Sequence, residues 1–426
     1  MINSRKSACR VSAVKYVLTS AGLIAMLATG AHAETLTLRE AVRRALGYAP
    51  AVASATADSD LNAAMMREAR APLYPSLSAG SEYMQSAGYS IAVTNGGLSD
   101  ALLTLDYTAY DFGRRLAQVR AARYQSQAAE YGIRTARAQI VFDTTVAYCD
   151  LLRTQQAGRE LTSNAARLKR YVAVVRALRL SGRAFANDEL KVATAENNAQ
   201  LALSSAQSAA KRASATLGAL IGEFDQSDMN VAEVSGLPSE PGGELSKNPI
   251  LVAAQKASAS AQAAEQAAIR ERYPTVRLIL TAGWQGINPP HTYTHNGGAS
   301  YDGIVSMPLF DGGLISSHID EATARIRAAD AQRRQVDLDL RRRMTDARLR
   351  YRQARDQLAL LASAQPNADD AFALTWSRFL GGGNATILEV LDAYAQAEQL
   401  RLARLDQEFA VRQAAAEGAL LIGVDQ

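Results

Sequence analysis

The chain reads as one pattern written twice. Ala49-Pro50 recurs as Asn248-Pro249, and Tyr74-Pro75 as Tyr273-Pro274, each 199 residues later. Asp111 in DYTAYDFGR returns as Asp311 in MPLFDGGL after 200 residues, and Leu220-Ile221-Gly222 as Leu421-Ile422-Gly423 after 201. Such a small drift over half a chain means that both halves carry the same series of elements, so each checks the other. The period is far too long for a solenoid. It describes a duplicated domain, residues 34–235 followed by residues 236–426.

Residues 1–33 read as an export signal rather than structure. Arg5, Lys6, Arg10 and Lys15 form a basic start, Tyr16 to Ala28 is a short apolar stretch, and Ala31-His32-Ala33 offers the small residues of a cleavage site after Ala33. Cys9 precedes the apolar stretch, so it is not the acylated cysteine of a lipoprotein, and the chain reads as not lipidated. Cys149 then stands alone, which excludes an internal disulfide, and its helical setting in VFDTTVAYCDLL makes it a small core residue. Of the 46 Lys and Arg, four leave with the signal, so the basic residues that remain equal the 42 Asp and Glu. A nucleic-acid partner thereby loses its main support. No later stretch approaches the ~20 apolar residues of a spanning helix. An exported chain of that kind is either soluble or a β-barrel.

Each half changes period at the same places. Residues 34–72 predict a helix, with Thr37 as cap and Leu38, Ala41, Val42, Ala45 and Leu46 on one face, interrupted early by Pro50. Residues 249–273 repeat it. Period-two alternation follows in residues 76–111 and 274–310, where Leu103, Leu105 and Tyr107 alternate with Thr104, Asp106 and Thr108, and Leu278, Leu280 and Trp284 face away from Arg277 and Thr281. That spacing predicts two hairpins, with TNGG and NPPHTYTHNGG as their loops. Residues 113–222 and 313–423 then predict helical hairpins that turn at Gly182 and at Gly381-Gly382-Gly383. The second long helix shows a coiled-coil seam through Val336, Leu340, Met344, Ala347 and Tyr351, with Arg333 in one slot. A helix of ~65 residues is ~100 Å long at 1.5 Å per residue. The shorter return helix covers about half of it, and the helix that opens each repeat can cover the rest.

Four strands cannot close a membrane barrel, which needs about 8, and open strand edges are forbidden in lipid. Copies of the chain must therefore pool their strands. Two copies would supply 8 strands and three would supply 12, and periodicity does not separate them. The expected fold class is mainly α with a β-barrel: coiled-coil hairpins forming a tunnel, plus four strands per chain.

Here the sequence resembles the TolC family of outer-membrane channels of efflux pumps and type I secretion systems. The likeness runs through LTLREAVRRALGYAPAV (with Ala49 in place of the usual Asn), RAPLYPSLSAG, RERYPTVRLILTAG, MPLFDGG, GNATILEVLDA, and the helix ends GALIG and GALLIG. The order, given twice, is the specific feature. The resemblance implies a homotrimer with a 12-stranded barrel in outer-membrane lipid and a periplasmic tunnel. The tunnel's closed end would dock on a periplasmic adaptor protein and an inner-membrane transporter.

Glu389 and Asp392 lie three apart on one helix face. The resemblance places them, with Asp188 as first-half counterpart, in an acidic ring at the periplasmic entrance, which would favour cations. The other reading is a solvated face. The family's tyrosine and arginine lock matches Leu380 and Ala385 here, so that lock is absent as such; Trp376 and Arg378 are its candidate substitutes. Pro366 interrupts the second long helix where the first half has Ala165-Ala166, and predicts a kink or break near the tip, read either as a hinge or as a tolerated bend. His291 and His295 have metal-like spacing but sit in a Pro-rich loop without the Glu of a helical zinc motif. His318 begins a helix without a partner. Neither a metal site nor a cofactor site emerges, and an acidic pair at a hairpin tip lacks the pocket of a glycosidase, so no catalytic residue is expected. The competing class is a coiled-coil structural or adhesin-like envelope protein without a conduit.

Overall fold

A computed structural model describes residues 35–85, 97–224, 229–287, 296–381 and 385–423. The signal, the loop containing His291 and His295, most of TNGG, and Gly382 and Gly383 lie outside the described residues. The first repeat runs α1 (Leu38–Tyr48), α2 (Pro50–Arg70), β1 (Ser76–Gln85), β2 (Gly97–Tyr110), α3 (Arg114–Leu180) and α4 (Ala186–Ile221). The second runs α5 (Pro249–Ile269), β3 (Thr275–Ile287), β4 (Asn296–Ser306), α6 (Leu314–Leu380) and α7 (Ile387–Ile422). Among the described residues, no helix is long and apolar enough to cross a membrane.

Both long helices have 67 residues and both return helices 36. Each return helix packs on its own long helix, and α2 and α5, of 21 residues each, occupy the remaining length. Pro50 splits the opening helix as expected: α1 ends at Tyr48 and α2 begins at the proline, whose missing N–H costs nothing in a first turn. The predicted seam of α6 is buried at Leu340, Met344, Ala347, Tyr351 and Ala354. The return helices close at Gly222 and Gly423, both left-handed (φ +81° and +68°). Added Cβ atoms there would lie 2.7 Å from the Tyr48 ring and from Pro249 Cδ, so the glycines allow each helix end to touch the start of a repeat.

The four strands form one antiparallel meander in the order β1-β2-β3-β4. The register sets Leu77 opposite Leu105, Leu105 opposite Leu280, and Leu280 opposite Tyr301 on one face. Ser78, Thr104, Thr281 and Ser300 make a polar row on the other. Asp106 and Arg277 bridge β2 and β3 on that polar face, with Nε–Oδ1 at 2.8 Å. The apolar face is largely exposed, and β1 and β4 are open edges.

At the passage from strand to helix, Asp111 accepts from the backbone N–H groups of Gly113 (3.1 Å) and Arg115 (2.9 Å) and from Arg115 Nε (2.9 Å). Burial alone would raise its pKa, but these donors outweigh it and hold the carboxyl below its ordinary value. Asp311 repeats the two backbone bonds, to Gly313 (2.9 Å) and Ile315 (2.7 Å), without the arginine. Phe112 adopts φ +54°, where the second half has Gly312. It is held there by stacking on Tyr273, with ring centroids 5.2 Å apart.

The link between repeats lies as a strap across the middle of the helices. The Tyr148 hydroxyl reaches the carbonyls of Leu36 (2.9 Å) and Ala232 (2.7 Å), and Gln155 donates to that of Met229 (2.6 Å). Arg348 donates to the Pro241 carbonyl (2.9 Å), Tyr351 to that of Pro238 (2.7 Å), and Arg412 to that of Val234 (3.0 Å). Cys149 is buried beneath this region, and burial pushes its thiol up to about 11.

Two expectations meet the structure here, the unpartnered His318 and the break at Pro366. His318 has a partner after all, since Nδ1 lies 2.9 Å from Glu271 Oε2. The residues at that helix–strand junction are far apart in sequence, beyond any local pattern. Pro366 does not break its helix: α6 is continuous from Leu314 to Leu380. Proline removes one hydrogen bond in a ladder that the coiled coil holds on either side.

Candidate functional site at the hairpin tips

The two hairpins turn at the same end of the molecule, and each return helix starts with an acidic residue that caps it. In the first tip Gly182 is left-handed (φ +77°), and the Asp188 carboxylate accepts from the Phe185 N–H (2.9 Å). In the second, Gly381 closes α6, and Thr386 and Glu389 exchange bonds: Thr386 Oγ1 accepts from the Glu389 N–H (3.3 Å), and Glu389 Oε2 accepts from the Thr386 N–H (2.8 Å). This is a capping box, spelled TILE in the sequence. Glu389 is exposed but engaged at the helix start. Asp392 is exposed and, among the described residues, has no hydrogen bond or ion pair within the chain. Beside the first tip, Glu189 takes Arg176 Nε at 2.7 Å and Arg179 Nε at 2.5 Å, which holds its carboxyl below the ordinary value.

Behind the tips the two hairpins are fastened together by residues that spacing did not single out. Tyr171 of α3 lies against Trp376 (centroids 4.6 Å), Phe372 (5.9 Å) and Tyr394 (5.7 Å). Val172, Val175, Val192, Ile387 and Val390 form the core beneath them. Trp376 thus packs between the hairpins, whereas Arg378 is exposed.

A polar chain continues the contact. The Tyr394 hydroxyl donates to Asn164 Oδ1 (2.8 Å) and receives Arg167 Nε (3.1 Å). Arg167 Nη2 reaches buried Glu398 (2.5 Å), which also takes Arg401, and Arg401 pairs with Asp369 of α6. Burial raises the Tyr394 pKa, and the Arg167 bond offsets only part of the rise. Charge-assisted bonds of this kind contribute about 1.5–3 kcal/mol each. Tyr171 lies nine residues before the end of α3, about 14 Å from the tip at 1.5 Å per residue. The available signal was compositional: Tyr171, Phe372, Trp376, Phe379 and Tyr394 gather near the tips of a chain that is only 6% aromatic.

The arrangement is therefore a pair of capped coiled-coil tips carrying acidic side chains, clasped to each other, at the far end of ~100 Å helices from an open sheet. The profile of the family described as outer membrane efflux protein matches residues 41–223 and 241–424, both repeats. The chain belongs to the outer membrane efflux protein family. Solved structures of similar fold include the outer membrane protein VceC of Vibrio cholerae, at 21% identity and a TM-score of 0.83, covering 91% of this chain and 96% of that one. A membrane protein from Pseudomonas aeruginosa matches at 20% identity and a TM-score of 0.82, covering 90% and 93%. The open state of the MtrE outer membrane channel of Neisseria gonorrhoeae matches at 18% and 0.78, covering 91% and 88%. No curated protein matches the sequence. Within this family fold, the four-stranded sheet is one chain's share of a barrel that is not closed by a single copy.

Proposed function

We propose that the protein is the outer-membrane exit duct of an export machine. Three copies pool their strands into a 12-stranded barrel in outer-membrane lipid, and their helices form a tunnel into the periplasm after the signal is removed behind Ala33. The hairpin tips dock on a periplasmic adaptor and an inner-membrane transporter, which choose between small compounds and a secreted polypeptide. The observation that carries this reading is the sheet: an exposed apolar face and two open edges suit lipid and further strands. A filament or adhesin has no use for either.

At the tips, Asp392 and Glu389 supply negative charge around the entrance. The Tyr171–Trp376 contact and the Arg167–Glu398 chain keep the second hairpin against the first, in place of the lock missing at Leu380 and Ala385. The test is reconstitution in planar bilayers of protein extracted from outer membranes by detergent. The duct predicts an oligomer that survives unheated gel loading and conducts ions. A soluble monomer without conductance would sink the proposal.

A further inference from the structure

Where the strap crosses α3 and α7 it leaves a slot beneath it. The two helices run antiparallel in a register fixed by Arg153–Asp406 at 2.9 Å. Residues 234–242 of the strap roof the groove between them. The enclosed space measures about 350 Å³. Its α3 wall runs from Ala138 to Cys149, which is roughly 16 Å at 1.5 Å per residue. Close-packed interiors hold few voids larger than a water molecule, whereas this one has the volume and the length of a small-ligand site. Every wall comes from one chain, so the slot exists whether or not copies assemble.

The slot is apolar along its length and charged at one end. Val141 and Phe142 line it on α3, Ala416 and Ala419 on α7, and Leu237 and Pro238 in the roof. Duplication does not impose this lining, because the residues 200 positions on from Val141 and Phe142 are Arg341 and Arg342. Val141 and Phe142 are only half-buried and Leu237 is exposed, so wall and roof do not close on each other. The hydroxyl of Thr145, also in the wall, is already spent on the Val141 carbonyl (2.7 Å). Arg412 stands at the Cys149 end, beside the exposed Ser235 and Gly236 of the roof. It gives one donor to the Val234 carbonyl (3.0 Å) and, among the described residues, has no carboxylate partner. Glu240, the carboxylate of the lining, is taken by Arg352 (2.8 Å). The Cys149 thiol, 6% exposed, lines the same end without a hydrogen-bond partner among the described residues. A buried water needs two to four polar partners, and most of this slot offers none.

We propose that the slot binds a medium-chain fatty carboxylate, one per chain, with its head on Arg412 and its alkyl chain laid between α3 and α7 beneath the strap. The guanidinium keeps donors free in a planar fork that matches a carboxylate. An extended chain of about 12 carbons, with bonds of ~1.5 Å in zigzag, spans roughly 14 Å and so fits the length of the wall. The alanines of α7 leave the width for such a chain; larger side chains there would fill it. A cationic head would meet the charge of Arg412, and a two-chain lipid exceeds a slot one chain wide. The bound chain replaces a void with apolar contacts on both helices and on the roof, and thereby holds the strap down.

The test uses the full-length protein in detergent-free lipid nanodiscs, with Phe142→Trp as a reporter and 12-bromododecanoate as the probe, whose bromine quenches a nearby indole. Reporter fluorescence should fall saturably. The unsubstituted protein, whose Trp284 lies in β3 and Trp376 near the tip, should show no saturable phase. Arg412→Gln should raise the half-saturating concentration roughly tenfold or more, as loss of a charge-assisted bond requires, and Arg412→Lys should recover most of that loss. Ala416→Phe should abolish the saturable phase by filling the slot. Plain dodecanoate should displace the probe, whereas dodecyltrimethylammonium and lysophosphatidylglycerol should each need roughly tenfold more. Equal displacement by the ammonium overturns the proposal, because the slot would then be merely apolar. Stronger displacement by the lysophospholipid overturns it in favour of a membrane lipid. Equilibrium dialysis of the unsubstituted protein with radiolabelled dodecanoate guards against a reporter that distorts the slot. One saturable equivalent per chain, lost in Ala416→Phe, supports the site, and no saturable binding overturns it.

Discussion

The side-chain amide of Asn248 donates to the carbonyl of Leu421 at 2.9 Å, tying the first turn of α5 to the last turn of α7. Its Oδ1 also accepts from the N–H groups of Ile250 (2.8 Å) and Leu251 (3.4 Å). Ala49 holds the same place in the first repeat with a similar backbone, φ −56° against −58°, and no side chain to do either. Asn248→Ala should therefore cost about 1–3 kcal/mol, since it leaves buried groups unpaired. Ala49→Asn should add about 0.5–2 kcal/mol as a restored cap. Thermal melting of the detergent-solubilised protein checks both, and an Ala49→Asn variant that melts no higher would show that the first repeat lacks room for the cap.

The clasp gives a prediction with an internal control. Arg167→Ala removes charge-assisted bonds that favour the closed tip by about 1.5–3 kcal/mol, so open probability in single-channel recordings should rise about tenfold or more. Asn367→Ala, at the second-repeat counterpart of Arg167 200 residues on, should leave it unchanged. Equal effects from the two substitutions would assign the increase to general loosening of the tip.

Glu389 and Asp392 separate by role. Asp392→Ala removes an exposed charge without touching a cap and should weaken block by multivalent cations. Glu389→Ala should do the same and also cost about 0.5–2 kcal/mol of helix-start stability, whereas Glu389→Gln preserves a capping side chain while removing charge. Unchanged block and cation selectivity in Asp392→Ala and Glu389→Gln would return both residues to the status of a solvated face.

Pro366 stands three residues before Asp369, the anchor of Arg401. If the missing hydrogen bond makes this turn a hinge, Pro366→Ala should lower the opening frequency and raise the melting temperature together. A higher melting temperature with the opening frequency unchanged would leave a tolerated proline.

Cys149 should resist maleimide in the folded protein at pH 7–8, because burial pushes its thiol up to about 11 and leaves little thiolate. Denaturation should expose it to complete labelling. Rapid labelling of the native protein would show that the strap region opens readily.

The repeat makes the architecture legible in the sequence. A nearly constant shift placed both hairpins, both long helices and both glycine ends, since period-two and coiled-coil patterns are local and appear twice. The strand faces were equally plain, because alternation alone decides them. Glu389 is legible as an acidic residue on a helix face, whereas its capping bond to Thr386 depends on where α7 starts, which periodicity leaves open by a residue or two. The clasp was out of reach for another reason. Arg167 and Tyr394 belong to different repeats, and no periodicity says which face of one coiled coil meets which face of the next. The strap has no period at all, and His318 finds Glu271 across a junction rather than along a helix.

That strap gives the tunnel a fulcrum. Tyr148, Arg348 and Arg412 pin three helices to one irregular segment, with about 30 residues, or roughly 45 Å, of helix between Arg348 and the tip. On a lever of that length, a lateral shift of about 4 Å at the tip needs a rotation of only about 5°, small enough for side-chain hydrogen bonds at the pivot to persist. Motion at one end of the molecule need not disturb a barrel set in lipid at the other.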